Sequence, residues 1–273
     1  MSERRNEITV RHCHGLEEFD KCYELQRRVW GESNIDVPMP MFVVAQETGG
    51  QMLGAFAGDP SRVENMTGFT MAIAGWRDGR PFLHSHMTAV LAESRDRGVG
   101  RKLKQFQRTD ALERGIELVE WTFDPLETKN AYFNFMRLGA IARRYLPNIY
   151  GITTSPLHGG LPTDRLMAEW WLNSDKSRRQ AAEGDQRLAR EERRAPSKDA
   201  KTILIPDAIH EMKAKNREEA LRMQGEIREQ FLKWFAEGYA ATEIERVEGG
   251  AQYVLERIEA AAHHASGAEA VTR

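Results

Sequence analysis

Ile8 to His12 alternates apolar and polar residues, the period of a half-buried strand. Gly15 to Trp30 follows with Leu16, Phe19, Tyr23 and Leu25 placed to turn toward a core, which predicts a helix. Pro38 and Pro40 separate it from a compact apolar run, Met41 to Ala45, read as a strand. Gly49-Gly50 then reads as a hairpin turn, with Met52 to Ala57 as the returning strand. Phe69 to Gly75 and Phe82 to Leu91 make a second strand pair across Asp78-Gly79. From Val99 the period changes: Val99, Leu103 and Phe106 recur at helical spacing until Gly115. Ile116 to Phe123 is strand-like and ends at Asp124-Pro125. A helix over Lys129 to Leu138 stops at Gly139, followed by strands near Ala140 to Tyr145 and Leu166 to Leu172. The order β-α-ββββ-α-β-α-β-β predicts an α/β fold, a mixed α+β sheet with helices on its faces.

Residues 173–201 break the pattern. They are dense in both signs of charge, and Leu188 is their one large apolar residue, so they read as a solvated linker or exposed helix. Beyond them, Thr202 to Pro206 reads as a strand and Asp207 to about Phe235 as one or two helices. Ala241 to Val247 and Ala251 to Ile258 read as a hairpin across Gly249-Gly250. The expected organisation is a domain over 1–172, a charged linker over 173–201, a small α+β extension over 202–260 and a frayed tail over 261–273. The extension is small for an independent unit and is expected to dock onto the first domain.

The 273 residues are long enough to bury a core, and a net charge of −2 gives no general reason to expect nucleic acid or acidic membranes as partners. Cys13 and Cys22 are too few for a disulfide framework, and their spacing with His12 and His14 fits no common zinc pattern. The N-terminus has no apolar segment of signal-peptide type, Ser2 excludes N-myristoylation, and no apolar stretch approaches ~20 residues. A cytoplasmic protein is expected, with no membrane partner; oligomeric state is open, a homodimer included.

The informative stretch is Arg95-Asp-Arg97-Gly98-Val99-Gly100-Arg101-Lys102, between a strand and a helix. Glycines let backbone N–H groups approach an anion, and a helix N-terminus adds partial positive charge. The same stretch also suits an ordinary helix entry with solvated basic residues. Gly-x-x-x-x-Gly-Lys-[Ser/Thr] is absent, and the two glycines follow a meander rather than opening a βαβ unit, so neither a P-loop nor a dinucleotide fold is expected.

In this context the chain resembles the GNAT acyltransferase superfamily, whose signature [Arg/Gln]-x-x-Gly-x-[Gly/Ala] is met by Arg95, Gly98 and Gly100. Asn130 to Ala140 is similar to the superfamily's later helix. Trp121 to Leu126, Tyr145 to Gly151, Leu161 to Arg165, Ile205-Pro206 and Gly238-Tyr239 resemble a bacterial group of GNAT acetyltransferases with a C-terminal extension. The resemblance implies acetyl-CoA, or another acyl-CoA such as succinyl-CoA, with its pyrophosphate on the amides of Arg97 through Lys102. It implies a pantetheine arm along the fourth strand, Met87 to Leu91, where it splays from Leu118 to Phe123. A backbone N–H near Ala89 or Val90 would then polarise the thioester carbonyl, and Asn130 would contact the pantetheine region. The implied reaction is N-acylation of a small-molecule amine or amino acid; a non-catalytic acyl-CoA-binding module is the alternative.

The tyrosine many members place four residues before the helix-ending glycine is Phe135 here, and Tyr132 is the nearest substitute. Candidates for the base are Asp124, at the end of the fifth strand, and His86, which alternates with His84 on the fourth. Asp124 also suits a turn-capping role before Pro125, and Glu120 suits either a base, if it lines the cleft, or a structural hydrogen bond. Asp164 and Arg165 suit either a site for a substrate carboxylate or an internal ion pair.

Overall fold

A computed structural model describes residues 7–31, 36–152, 160–182 and 197–258. Residues 183–196 of the charged segment and the whole expected tail therefore lie outside the described residues. Strand β1 (Ile8–His12) leads into helix α1 (Gly15–Trp30), which buries Phe19, Cys22 and Leu25. The expected strand at Met41 to Ala45 is instead part of helix α2 (Met39–Glu47), with Pro40 in its first turn and Phe42 and Ala45 buried. A short apolar run does not distinguish a strand from a buried helix, and proline is readily accommodated in a helix's first turn. Gly49-Gly50 consequently joins a helix to a strand and makes no hairpin. A Cβ on Gly50 would stand 2.1 Å from the carbonyl oxygen of Ala72, so only glycine lets the backbone pass there.

Strands β2 (Gln51–Ala57), β3 (Met66–Arg77) and β4 (Arg80–Val90) continue an antiparallel meander from β1. Helix α3 (Val99–Glu113) then crosses to β5 (Leu118–Phe123), which lies parallel to β4. Helix α4 (Thr128–Tyr132) runs into a π-helical stretch, Phe133–Leu138, closed by Gly139 at φ 78°. Strands β6 (Ile141–Leu146) and β7 (Arg165–Trp171) follow, and β7 inserts antiparallel between β5 and β6.

The expected solvated segment contains helix α5 (Asp175–Ala182), which buries Ser177 against the end of the π-helical stretch. The C-terminal part comprises β8 (Lys201–Pro206), α6 (Ile209–Lys215), α7 (Arg217–Ala236), β9 (Tyr239–Val247) and β10 (Gly250–Arg257). It joins the same sheet through β9, which pairs with β6 at Ala142 and Ala241. The ten strands run β1-β2-β3-β4-β5-β7-β6-β9-β10-β8. The largest core spans the joint: Tyr253 sits edge-on to Phe135 and Phe231, and Phe231 stacks on Tyr145. No described helix is long and apolar enough to cross a membrane.

Candidate functional site

Strand β4 stays paired with β3 along its length but keeps its other neighbour, β5, over only part of it. It pairs with β5 only at Leu83 with Val119 and His84 with Glu120, and beyond that step the two parallel strands part. The register of β4 on β3 slips at the same place, Ala72 opposing Ser85 and Met71 opposing Met87, so His86 is the extra residue of a β-bulge. A bulge bends and twists its strand, which explains why the pairing to β5 ends there.

Past the bulge, the Leu91 N–H donates to the Thr67 carbonyl on β3 at 3.0 Å. N–H groups alternate sides along an antiparallel ladder, so the Ala89 N–H also faces β3, while those of Thr88 and Val90 face the open side. Of the two amides the resemblance points to, that of Val90 faces the open side and that of Ala89 faces β3. The Arg95 guanidinium reaches the same edge, donating from Nε to the Val90 carbonyl at 3.4 Å.

Arg95 to Lys102 forms the entry to α3. Gly98 is the N-cap, in the left-handed region at φ 76°, and nothing stands within 4 Å of where its Cβ would be. Above Gly100 the nearest atom to such a Cβ is a methyl of Val90 at 3.9 Å. The glycine turn is thus open, with the first amides of a fifteen-residue helix behind it. Val99 anchors the turn by burying its side chain with Leu103 and Ile8. Arg97 is exposed and Arg101 half-buried. Lys102 is drawn away, its Nζ donating to the Ile8 carbonyl at 3.0 Å.

Two ionisable layers flank the parting. On one face the Glu120 carboxylate accepts from both Arg77 nitrogens at 2.7 and 2.8 Å and from Arg144 at 3.0 Å, which fixes it structurally. His84, at the last paired step, is half-buried, and burial lowers its pKa. The rings of His84 and exposed His86 stand 6.1 Å apart. Among the described residues no group of three metal-ligating side chains occurs.

On the other face Lys104 of α3 is buried. Its Nζ donates to Ser85 Oγ at 2.8 Å and Gln107 Oε1 at 2.9 Å, and lies 4.2 Å from the centroid of the Trp121 ring. Burial pushes its pKa down to about 7. Sequence reasoning missed this lysine. The available signal was its place on the apolar face of α3, beside Leu103, Gln107 and Ala111.

Some of the remaining candidates are engaged within the fold and others are exposed. Asp124 accepts the Leu126 N–H at 2.8 Å and faces Lys213 of α6 at 3.3 Å, so it caps its turn and pairs across the fold. Phe135 is fully buried against Phe123 and Tyr253. Tyr132 is 40% exposed on α4, with the Arg137 guanidinium 5.9 Å from its ring. Asn130 is exposed in the same helix. Of the two readings of Asp164, the structure shows the internal ion pair. Asp164 is completely buried and accepts from Tyr145 Oη, the Asn148 N–H and both Nε and a terminal nitrogen of Arg228. Its partner is Arg228, 64 residues away, and it is closed to a substrate. Arg165 donates to the Asp164 carbonyl at 2.8 Å and lies over Tyr150.

A glycine turn between the fourth strand and a helix, and a fourth strand that parts from a parallel fifth, are the features the resemblance to the GNAT superfamily implies, and both are present. No family model matches the chain, and no curated protein matches it. Among solved structures, it is similar to the ribosomal-protein-S18-alanine N-acetyltransferase from Escherichia coli at 13% identity and a TM-score of 0.46, over 60% of this chain and 92% of that one. Arabidopsis thaliana NAA60 in complex with acetyl-CoA gives 12% identity and a TM-score of 0.49 over 60% and 99% of the respective chains. Arabidopsis thaliana Naa50 in complex with the bisubstrate analogue CoA-Ac-MVNAL gives 12% and 0.47 over 59% and 97%.

Proposed function

We propose that the chain is an acyl-CoA-dependent N-acyltransferase, using acetyl-CoA or another acyl-CoA such as succinyl-CoA, that acylates the amine of a small molecule or amino acid. The observation that carries this reading is the continuity of an open glycine turn with the parting of β4 from β5. The room above Gly98 and Gly100 fits a diphosphate, held by the amides at the start of α3 with Arg95 beside them. The Thr88 and Val90 N–H groups on the open edge of β4 suit the pantetheine amides and the thioester carbonyl. When bound, the acyl-CoA supplies an activated acyl group. An attacking amine must lose a proton, and the His84–His86 pair at the parting is positioned to take it, more openly than Asp124.

One observation favours the alternative, an acyl-CoA-binding module without turnover: Phe135 occupies the tyrosine position and is sealed in the core. A thiol-release assay with acetyl-CoA and succinyl-CoA against a panel of amino acids and small amines separates the two. Acceptor-dependent release that falls at least about tenfold in His84→Gln or His86→Gln supports the enzyme. Tight CoA binding with no release across the panel supports the module.

A further inference from the structure

Behind the glycine turn, α3 presents Arg101, Gln105 and Arg108 at helical spacing toward the end of the π-helical stretch, β7 and α5. With Arg137, Trp170 and Ser177 they enclose a small cavity of about 20 Å³, room for a single atom-sized occupant. Three buried polar atoms from these lining residues have no hydrogen-bond partner: Nε of Arg108, Nε1 of Trp170 and Oγ of Ser177. Trp170 and Ser177 are almost wholly buried, so solvent does not satisfy them. Unmet donors are rare and costly in protein interiors, and three around one cavity point to an occupant.

The charge of the wall decides what kind. Among the described residues no acidic side chain lines the cavity and no carboxylate pairs with Arg108 or Arg137. Arg108 donates one terminal nitrogen to the Leu172 carbonyl at 2.8 Å, a neutral partner. Burial and the nearby charge of Arg178 both lower its pKa. A water molecule would meet the two N–H groups and the hydroxyl; an anion meets the same three donors and also complements the arginines of the wall. We propose that the cavity binds one small monovalent anion of halide size, held by Arg108 Nε, Trp170 Nε1 and Ser177 Oγ. The anion clamps α5 and the π-helical stretch onto the helix that carries the glycine turn. This site is independent of the acyl-CoA reading.

The test is thermal unfolding of the full chain in chloride, in bromide and in gluconate, at fixed pH and ionic strength. A halide-sized site predicts a saturable rise in Tm of about 2–4 °C in either halide over gluconate. Trp170→Phe keeps the ring and removes one donor, and should lose most of that rise; Ser177→Ala should reduce it. Crystals grown in bromide should show an anomalous peak within hydrogen-bond distance of Trp170 Nε1 and Arg108 Nε. A Tm indifferent to the anion, a Trp170→Phe variant that responds like the unmodified chain, or a water in place of the bromide peak overturns the proposal.

Discussion

Lys104 shows how much one side chain carries at the residue scale. Its amine is buried among Ser85, Gln107 and the Trp121 ring, and its pKa is pushed down to about 7 from an ordinary 10.5. The unfolded chain therefore holds a proton at this position between about pH 7 and 10.5 that the folded chain has released. Stability contributed by this group rises with pH across that window and is flat below it. Urea unfolding of the unmodified chain and Lys104→Met at several pH values checks this: the stability difference should shift toward the unmodified chain from pH 7 to 9.5. A pH-independent difference would show that Lys104 keeps its proton. Asp164 is the opposite case, a buried carboxylate answered by Arg228, Tyr145 and a backbone N–H. Asp164→Ala strands those donors and is expected to cost about 3 kcal/mol in urea unfolding; a loss under about 1 kcal/mol would mean the pair is worth no more than a surface one.

At the scale of elements, the glycine positions separate what close packing forbids from what conformation merely disfavours. Gly50→Ala drives a Cβ into the Ala72 carbonyl and should cost about 3 kcal/mol or more, whereas Gly49→Ala, in open surroundings at φ 83°, should cost roughly 1–2 kcal/mol. Equal melting temperatures for the two variants would contradict the register of α2 on β3. The same elements show where local pattern was legible. Helices α1 and α3, the β3–β4 pair, and the C-terminal strands and helices follow their periodicity and their turn residues. Helix α2 did not, because five apolar residues in a row have no period to read. The bulge at His86 and the π-helical stretch at Phe133–Leu138 were hidden for a related reason: each adds one residue to a regular pattern and leaves composition unchanged. The glycine turn was legible because φ above zero selects glycine. The partners of Asp124 and Asp164 were not, since Lys213 and Arg228 come from 89 and 64 residues away.

The whole molecule is tied together at one seam. Strands β6 and β9 share a single register pair, yet Tyr253, Phe231 and Tyr145 interlock across it, Tyr253 Oη donates to the Pro125 carbonyl at 2.7 Å, and Arg228 and Lys213 reach back to Asp164 and Asp124. Residues 197–258 therefore complete a core begun by the first seven strands. Urea unfolding followed by far-UV circular dichroism and by tryptophan fluorescence should give coincident single transitions; two separated transitions would mean the seam does not couple the halves. The central claim is that the turn at Gly98 seats a diphosphate whose thiol arm runs between β4 and β5. Isothermal titration with CoA tests it most directly: the unmodified chain should bind, and Gly98→Asp, which puts a side chain and a negative charge into the open space above the turn, should weaken binding about tenfold or more. Equal affinity in the two proteins, or no binding by the unmodified chain, would contradict the account.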